Sequence, residues 1–163
     1  MRFIFGICII TFLLACAEKK NVEENSSAKK ETIENIEEKK VVEITIAALG
    51  ESMGKIAFEP SSISIPKNSV VRLLFRNNSS TSGMLHNFVL VQQGSGNEIS
   101  SKGLRAGKSK HFVPKDDRVI TSTKILNMGE EVTIEFDAPS KGSYHYICTF
   151  PGHTNMVGRL IVE

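Results

Sequence analysis

Charge of one sign is missing: 20 basic side chains face 18 acidic ones, a formal net charge of +2 across 163 residues. That balance excludes a role dominated by electrostatics, such as wrapping nucleic acid. Long apolar runs are missing as well. Beyond the N-terminus no stretch of about 18 consecutive apolar residues occurs, which excludes a helical membrane span there. Cysteine is scarce, with Cys8 and Cys16 near the start and Cys148 alone in the remainder. Residues 41–163 therefore cannot close an internal disulfide. No internal repeat is visible. What remains is 40% apolar and 23% charged, an ordinary globular composition. Residues 41–163 suffice for one domain that buries roughly two-thirds of its unfolded surface.

The N-terminus reads as an address. Residues 1–15 open on Arg2 and carry a short apolar stretch from Ile4 to Leu14, the pattern of a secretory signal peptide. Leu13-Leu14-Ala15-Cys16 resembles a bacterial lipobox, whose cysteine becomes lipidated after cleavage just before it. The alternative is an ordinary signal peptide with a chance cysteine. Between Ala17 and Lys40 stand seven Glu and six Lys with almost nothing apolar. Such a stretch cannot bury enough surface to offset its ordering entropy, so residues 16–40 are expected to be a lipidated Cys16 followed by a disordered tether. At that length its mean reach is roughly 25–30 Å. The expectation is an exported, lipid-anchored protein on the periplasmic side of an inner or outer membrane, in a Gram-negative bacterium.

Residues 41–163 alternate apolar and polar side chains with period two, the signal of half-buried strands. Val132, Ile134 and Phe136 share one face; so do Val71, Leu73 and Phe75, and Ile63 with Ile65. Further strands are predicted at 41–48, 54–59, 86–92, 118–126, 142–148 and 156–162. Turn residues such as Pro66-Lys67-Asn68, Gly94-Ser95-Gly96 and Met128-Gly129 separate them. Residues 97–113 break the rhythm and are expected to form a short helical flap. Seven to nine short strands in one domain predict an all-β fold, a Greek-key β-sandwich.

One stretch carries chemistry: Cys148-Thr149-Phe150-Pro151-Gly152-His153-Thr154-Asn155-Met156, placed between two predicted strands. A second histidine, His86, lies 62 residues before Cys148 and opens another strand. Two imidazoles, a thiolate and a thioether form the ligand set of blue-copper electron-transfer sites, trigonal His₂Cys with a weak axial Met. Soft sulfur favours Cu(I) and imidazole serves Cu(II), so a geometry between the two preferences needs little rearrangement when an electron passes. Structural zinc asks for four Cys or His where this chain offers three. A nucleophilic Cys148 paired with His153 is a further reading, but no orienting third group or oxyanion loop accompanies it.

Three blocks resemble the azurins, within the cupredoxin superfamily: Met84-Leu85-His86-Asn87-Phe88-Val89-Leu90, Pro114-Lys115-Asp116-Asp117-Arg118-Val119-Ile120, and Cys148-Thr149-Phe150-Pro151-Gly152-His153. The resemblance covers 41–163. It implies one type 1 copper held by His86, Cys148 and His153, with Met156 axial. It implies that Asn87 braces the loop near Thr149, and that His153 sits at an exposed edge ringed by Met84, Leu85, Phe150 and Pro151. Three departures stand out. Two residues, Thr154 and Asn155, separate His153 from Met156, where azurins have three and amicyanins two. Leu85 replaces the glycine whose carbonyl approaches copper in azurins, which leaves only a weak Leu85 carbonyl contact. The azurin disulfide is absent.

Of the other histidines, His145 is an odd number of residues from Cys148 and faces away, while His111 lies on a lysine-rich surface. Phe88, Phe112, Phe136 and Tyr146 are expected in the core, and Asp116 and Asp117 in a solvated turn. The expected function is a one-electron Cu(II)/Cu(I) carrier between redox proteins, c-type cytochromes or copper oxidoreductases, and not an enzyme. The expected carrier is a monomer held at the membrane by its lipid, with no nucleic acid partner. Capture or delivery of copper is the alternative.

Overall fold

Alternate side chains turned to one face give a pleated strand a dry side and a wet side, and the dry sides must be stacked. The computed structural model describes residues 39–163; the signal segment, Cys16 and the tether up to residue 38 lie outside the described residues. Nine strands form: β1 (Val41–Ser52), β2 (Lys55–Glu59), β3 (Ser62–Ile65), β4 (Val70–Asn77), β5 (Val89–Gln92), β6 (Val119–Ser122), β7 (Glu131–Asp137), β8 (Gly142–Ile147) and β9 (Val157–Val162). They make one sheet in the order β2-β1-β4-β7 and another in the order β3-β9-β8-β5-β6. The β1–β4 and β3–β9 pairs are parallel; the others are antiparallel. This is the predicted Greek-key β-sandwich.

The main core lies between the sheets. Val71, Leu73 and Phe75 of β4 are fully buried, opposite Leu90, Tyr146 and Leu160 of the second sheet. Tyr146 joins the layers: its ring lies against Phe88 and Phe58, at centroid distances of 5.5 and 5.2 Å, and its hydroxyl donates to the Pro60 carbonyl at 2.7 Å. A smaller core covers the outer face of the second sheet, where Val89, Val91 and Ile147 meet Ile99 of α1 (Gly96–Ala106). The flap expected over 97–113 is this helix followed by a 3₁₀ turn at Lys108–Lys110.

Two predicted strands are shorter than expected. β5 begins at Val89 and β6 ends at Ser122. The chain around His86 leaves the regular ladder: Phe88 N–H donates to Thr123 Oγ1, and His86 pairs with Leu126 through an isolated bridge. Phe112 is a second correction. It is only half-buried, with a left-handed φ of 58°, and its ring stands edge-on to Phe150 rather than in the core.

Asp116 is not a solvated turn residue. Its side chain is 9% exposed and accepts from Lys102 Nζ at 2.7 Å and Arg118 Nε at 2.8 Å. Arg118 also grips Glu98 of α1 through both terminal nitrogens, at 2.7 and 2.8 Å. Arg118 and then Lys102 hold the Asp116 carboxyl well below the usual carboxylate range, and the same two cations pull Glu98 down to about 2. This network ties α1 to the segment entering β6. Both carboxyls titrate lower in the folded chain than in the unfolded one, so their stabilisation is complete above the ordinary carboxylate range and is lost as pH falls through it. Asp116→Asn is expected to lower stability at neutral pH and to flatten the stability loss between about pH 5 and pH 2, followed by chemical denaturation at each pH.

Candidate metal centre

Strand alternation on β8 turns Tyr144, Tyr146 and the following Cys148 toward the main core, and His145 away from it. His145 lines a surface groove with Ser61, Ser62 and Arg159 and takes no part in the site. Beyond Cys148 the chain folds back on itself. His153 N–H donates to the Phe150 carbonyl at 3.0 Å, Met156 N–H to the His153 carbonyl at 2.9 Å, and Cys148 N–H to the Met156 carbonyl at 3.2 Å. Gly152 supplies the left-handed φ of 89° that this double turn requires.

His86 arrives on the segment that enters β5, which lies beside the end of β8 because Val89 pairs with Ile147. It is held by the bridge to Leu126, and that bridge is pinned by Asn77: Nδ2 donates to the Met84 carbonyl at 2.8 Å and to the Leu126 carbonyl at 3.0 Å. Asn87 then clamps the two ligand segments together. Its Oδ1 accepts from Thr149 N–H at 2.9 Å and its Nδ2 donates to Thr149 Oγ1 at 2.8 Å and to the His111 carbonyl at 2.9 Å.

These constraints bring His86, Cys148 and His153 into one buried cluster, with ligand atoms within 4.8 Å of one another. Cys148 Sγ lies 3.7 Å from His86 Nδ1 and 3.5 Å from His153 Nδ1. Metal–nitrogen and metal–sulfur bonds of roughly 2.0–2.3 Å, opened near the trigonal angle, place nitrogen and sulfur about 3.7 Å apart. The donor set therefore fits a single first-row ion. Both rings thus turn Nδ1 toward Cys148 Sγ, while their Nε2 atoms are buried without a hydrogen-bond partner.

Burial sets the protonation of these side chains in the metal-free chain. It pushes the His86 imidazole down to about 4, with His153 adding to the effect, and lowers His153 too. It pushes the Cys148 thiol up to about 11, against backbone N–H groups of Asn87 and Phe150 that favour the thiolate. At neutral pH the trio is two neutral imidazoles and a thiol, with no charge to repel an arriving cation.

The sequence pattern of copper binding proteins of the plastocyanin/azurin family matches residues 44–163. The chain belongs to that family. It is 34% identical to auracyanin-A of Chloroflexus aurantiacus over 126 residues, 75% of each chain. It is 32% identical to an azurin of Pseudomonas fluorescens biotype C, over 66% of this chain and 89% of the relative. Among solved structures, that of auracyanin A, a "blue" copper protein, superposes with a TM-score of 0.67 at 32% identity, covering 76% of this chain and 99% of the other. Membership of the plastocyanin/azurin family and the His-Cys-His geometry together make this a type 1 copper electron-transfer protein.

Two expectations about the rim need correction. His153 is fully buried rather than at an exposed edge, because Phe150 packs on it at a centroid distance of 5.0 Å and the His86 ring stands 4.7 Å from its own. Met84 is 7% exposed and lies beneath the surface. Leu85, Phe150 and Pro151 are half-exposed and form the accessible part of the expected patch. Met156 is fully buried beside Cys148 in the main core.

Sequence reasoning missed three residues. Asn77 occupies the fourth inward position of β4 after Val71, Leu73 and Phe75, and a polar group on that apolar face was the available signal. Gly50 and Ser79 carried none. Extending the β1–β4 register past Ala48–Asn77 sets Gly50 opposite Ser79, with Ser80 N–H donating to the Gly50 carbonyl at 3.0 Å. A Cβ on Gly50 would lie 2.6 Å from Met84 Cγ, 2.8 Å from Ser79 Oγ and 3.1 Å from His86 Nε2. Glycine thus keeps open the space behind the ligand ring. Gly50→Ala is expected to destabilise the fold by about 1–3 kcal/mol, as overpacking does, and to alter the EPR signal of the copper-loaded protein by displacing His86. Unchanged EPR parameters would show that the ring does not depend on this space.

Proposed function

We propose that the protein carries single electrons between redox partner proteins at a bacterial membrane surface, outside the cytoplasm, tethered through lipidated Cys16. The observation that carries the reading is the convergence of Cys148 Sγ with the Nδ1 atoms of His86 and His153 at 3.7 and 3.5 Å. Copper bound there supplies a one-electron Cu(II)/Cu(I) couple. The chain's residues would hold it: the imidazoles of His86 and His153 and the thiolate of Cys148 as the principal donors, the Met156 thioether as a weaker one, and the Leu85 carbonyl as a weak further contact. Asn87 and Thr149 hold the Cys148 segment in register with His86, and such outer hydrogen bonds tune both affinity and potential. Full burial of the three ligands leaves water no coordination position, which suits a carrier and disfavours both an enzyme and rapid copper delivery.

Leu85, Phe150 and Pro151 offer a small apolar surface over the site, and small interfaces permit the brief contacts electron exchange requires. The partners are c-type cytochromes or copper oxidoreductases, met by a monomer. A tether of the length of residues 17–40 raises the effective concentration of partners on the same membrane.

Copper-loaded protein is expected to show an intense blue thiolate-to-copper absorption that Cys148→Ser abolishes; a colourless wild type would refute the site. Met156→Leu is expected to keep the colour and raise the potential by on the order of 59 mV, a tenfold shift in a one-electron equilibrium. If neither spectrum nor potential changes, Met156 is not a ligand. The tether has its own test: in cells, Cys16→Ser is expected to move the protein from the membrane fraction to the soluble one, and retention in the membrane fraction would remove the lipid anchor from the reading.

A further inference from the structure

The near-neutral net charge hides a segregation. Residues 41–163 hold thirteen Lys and Arg and eleven Asp and Glu, but the thirteen residues from Gly103 to Lys115 hold Arg105, Lys108, Lys110 and Lys115 and no acid. All four cations are exposed. The acids flanking this segment are engaged elsewhere, Glu98 and Asp116 both by Arg118 and Lys102; Asp117 follows beyond them. The remainder of the domain is correspondingly net negative.

This basic segment is built onto the metal centre. The His111 carbonyl accepts from Asn87, Phe112 packs edge-on to Phe150 at 5.6 Å, and Gly103 fits closely against Phe112 and Thr149. Lys108 and His111 line a groove of about 260 Å³ with Leu85, Phe112 and Ile125. On the other side of Phe150, Leu104, 59% exposed, lines a second groove with Pro151 and Gly152. Apolar surface over the ligands is therefore bordered by cations on the flap side.

Resting on the electron-carrier reading, we propose that this face docks redox proteins through an acidic surface, with Lys108, Lys110 and their neighbours orienting the partner's carboxylates while the Leu85–Phe150 region takes its apolar contact. Charges at such a rim act on the encounter rate and on orientation more than on the lifetime of the complex. That is the property a transient carrier needs. The same cations could attract an anionic lipid headgroup, but the apolar groove they border opens beside the ligand loop, where a membrane contact would block electron exchange.

The test uses the full copper-loaded chain and reduced cytochrome c in two forms, basic as purified and partly succinylated so that lysines become carboxylates. One electron leaves the haem iron, Fe(II) becoming Fe(III), and reduces Cu(II) to Cu(I); stopped-flow absorbance follows both. At low salt, Lys108→Glu with Lys110→Glu is expected to slow reaction with the acidic form about tenfold and to speed reaction with the basic form. Lys67→Glu with Lys141→Glu, the same change in net charge at the turns before β4 and β8, is expected to change either rate less than twofold. The contrast should fade as salt shortens the Debye length to a few Å. Equal effects of the two double variants would overturn the proposal. So would binding to phosphatidylglycerol–phosphatidylcholine vesicles by the soluble Cys16→Ser chain that Lys108→Glu with Lys110→Glu abolishes. A blue protein that exchanges electrons with neither cytochrome form in any variant would instead remove the carrier reading itself.

Discussion

The double hydrogen bond between the Asn87 side chain and Thr149 is the constraint on which the centre rests. His86 and Cys148 are 62 residues apart and reach the site from separate segments. A carboxamide whose oxygen takes the Thr149 N–H while its nitrogen reaches Thr149 Oγ1 fixes those segments in both sliding and rotation. Its remaining donor capacity goes to the His111 carbonyl, so the same side chain also seats the flap. The two bonds to Thr149 are buried and the one to the His111 carbonyl partly so, and a buried hydrogen bond left unmade costs its full desolvation. The clamp is thus held by the penalty for breaking it.

Around that clamp the protein divides its labour. Apolar packing between the sheets provides the rigid frame, with Tyr146 and the phenylalanine rings bridging the layers. Much of the polar interior gathers at the metal end: Asn77, Ser79, His86, Asn87, Thr149 and His153 are all buried. Placing neutral imidazoles and a thiol there, rather than carboxylates, avoids burying charge before metal arrives. The ion pairs of Asp116 and Glu98 lie outside this region and serve the attachment of α1. The cations of the flap, without ion-pair partners among the described residues, border it, and their charge is spent outward. Stability, chemistry and encounter draw on different residues.

Much of the centre was legible from residue types. Cys148, His153 and Met156 on one loop, with His86 at a strand entrance, declare soft and imidazole ligands whatever surrounds them. The strand pattern was equally plain, because a period of two survives in any β-sandwich and depends only on which face is dry. Less legible were the supports. Asn77 looks like a turn residue until β4 is seen to carry it inward, and Asp116 looks solvated until Lys102 and Arg118 are folded against it. Phe112 has the composition of a core residue yet sits on the rim against Phe150.

By itself the sequence determined which atoms are available to a metal, which side chains face inward along each strand, and where the chain must turn, since these follow from side-chain chemistry and local periodicity. Only the tertiary structure decided how open the site is and what stands behind each ligand. His153 is buried between Phe150 and the ring of His86, which a distant segment brings in, and the space behind His86 exists because Gly50 falls opposite Ser79. Both depend on register between distant segments, and register is a property of the packed sheets that no local stretch encodes.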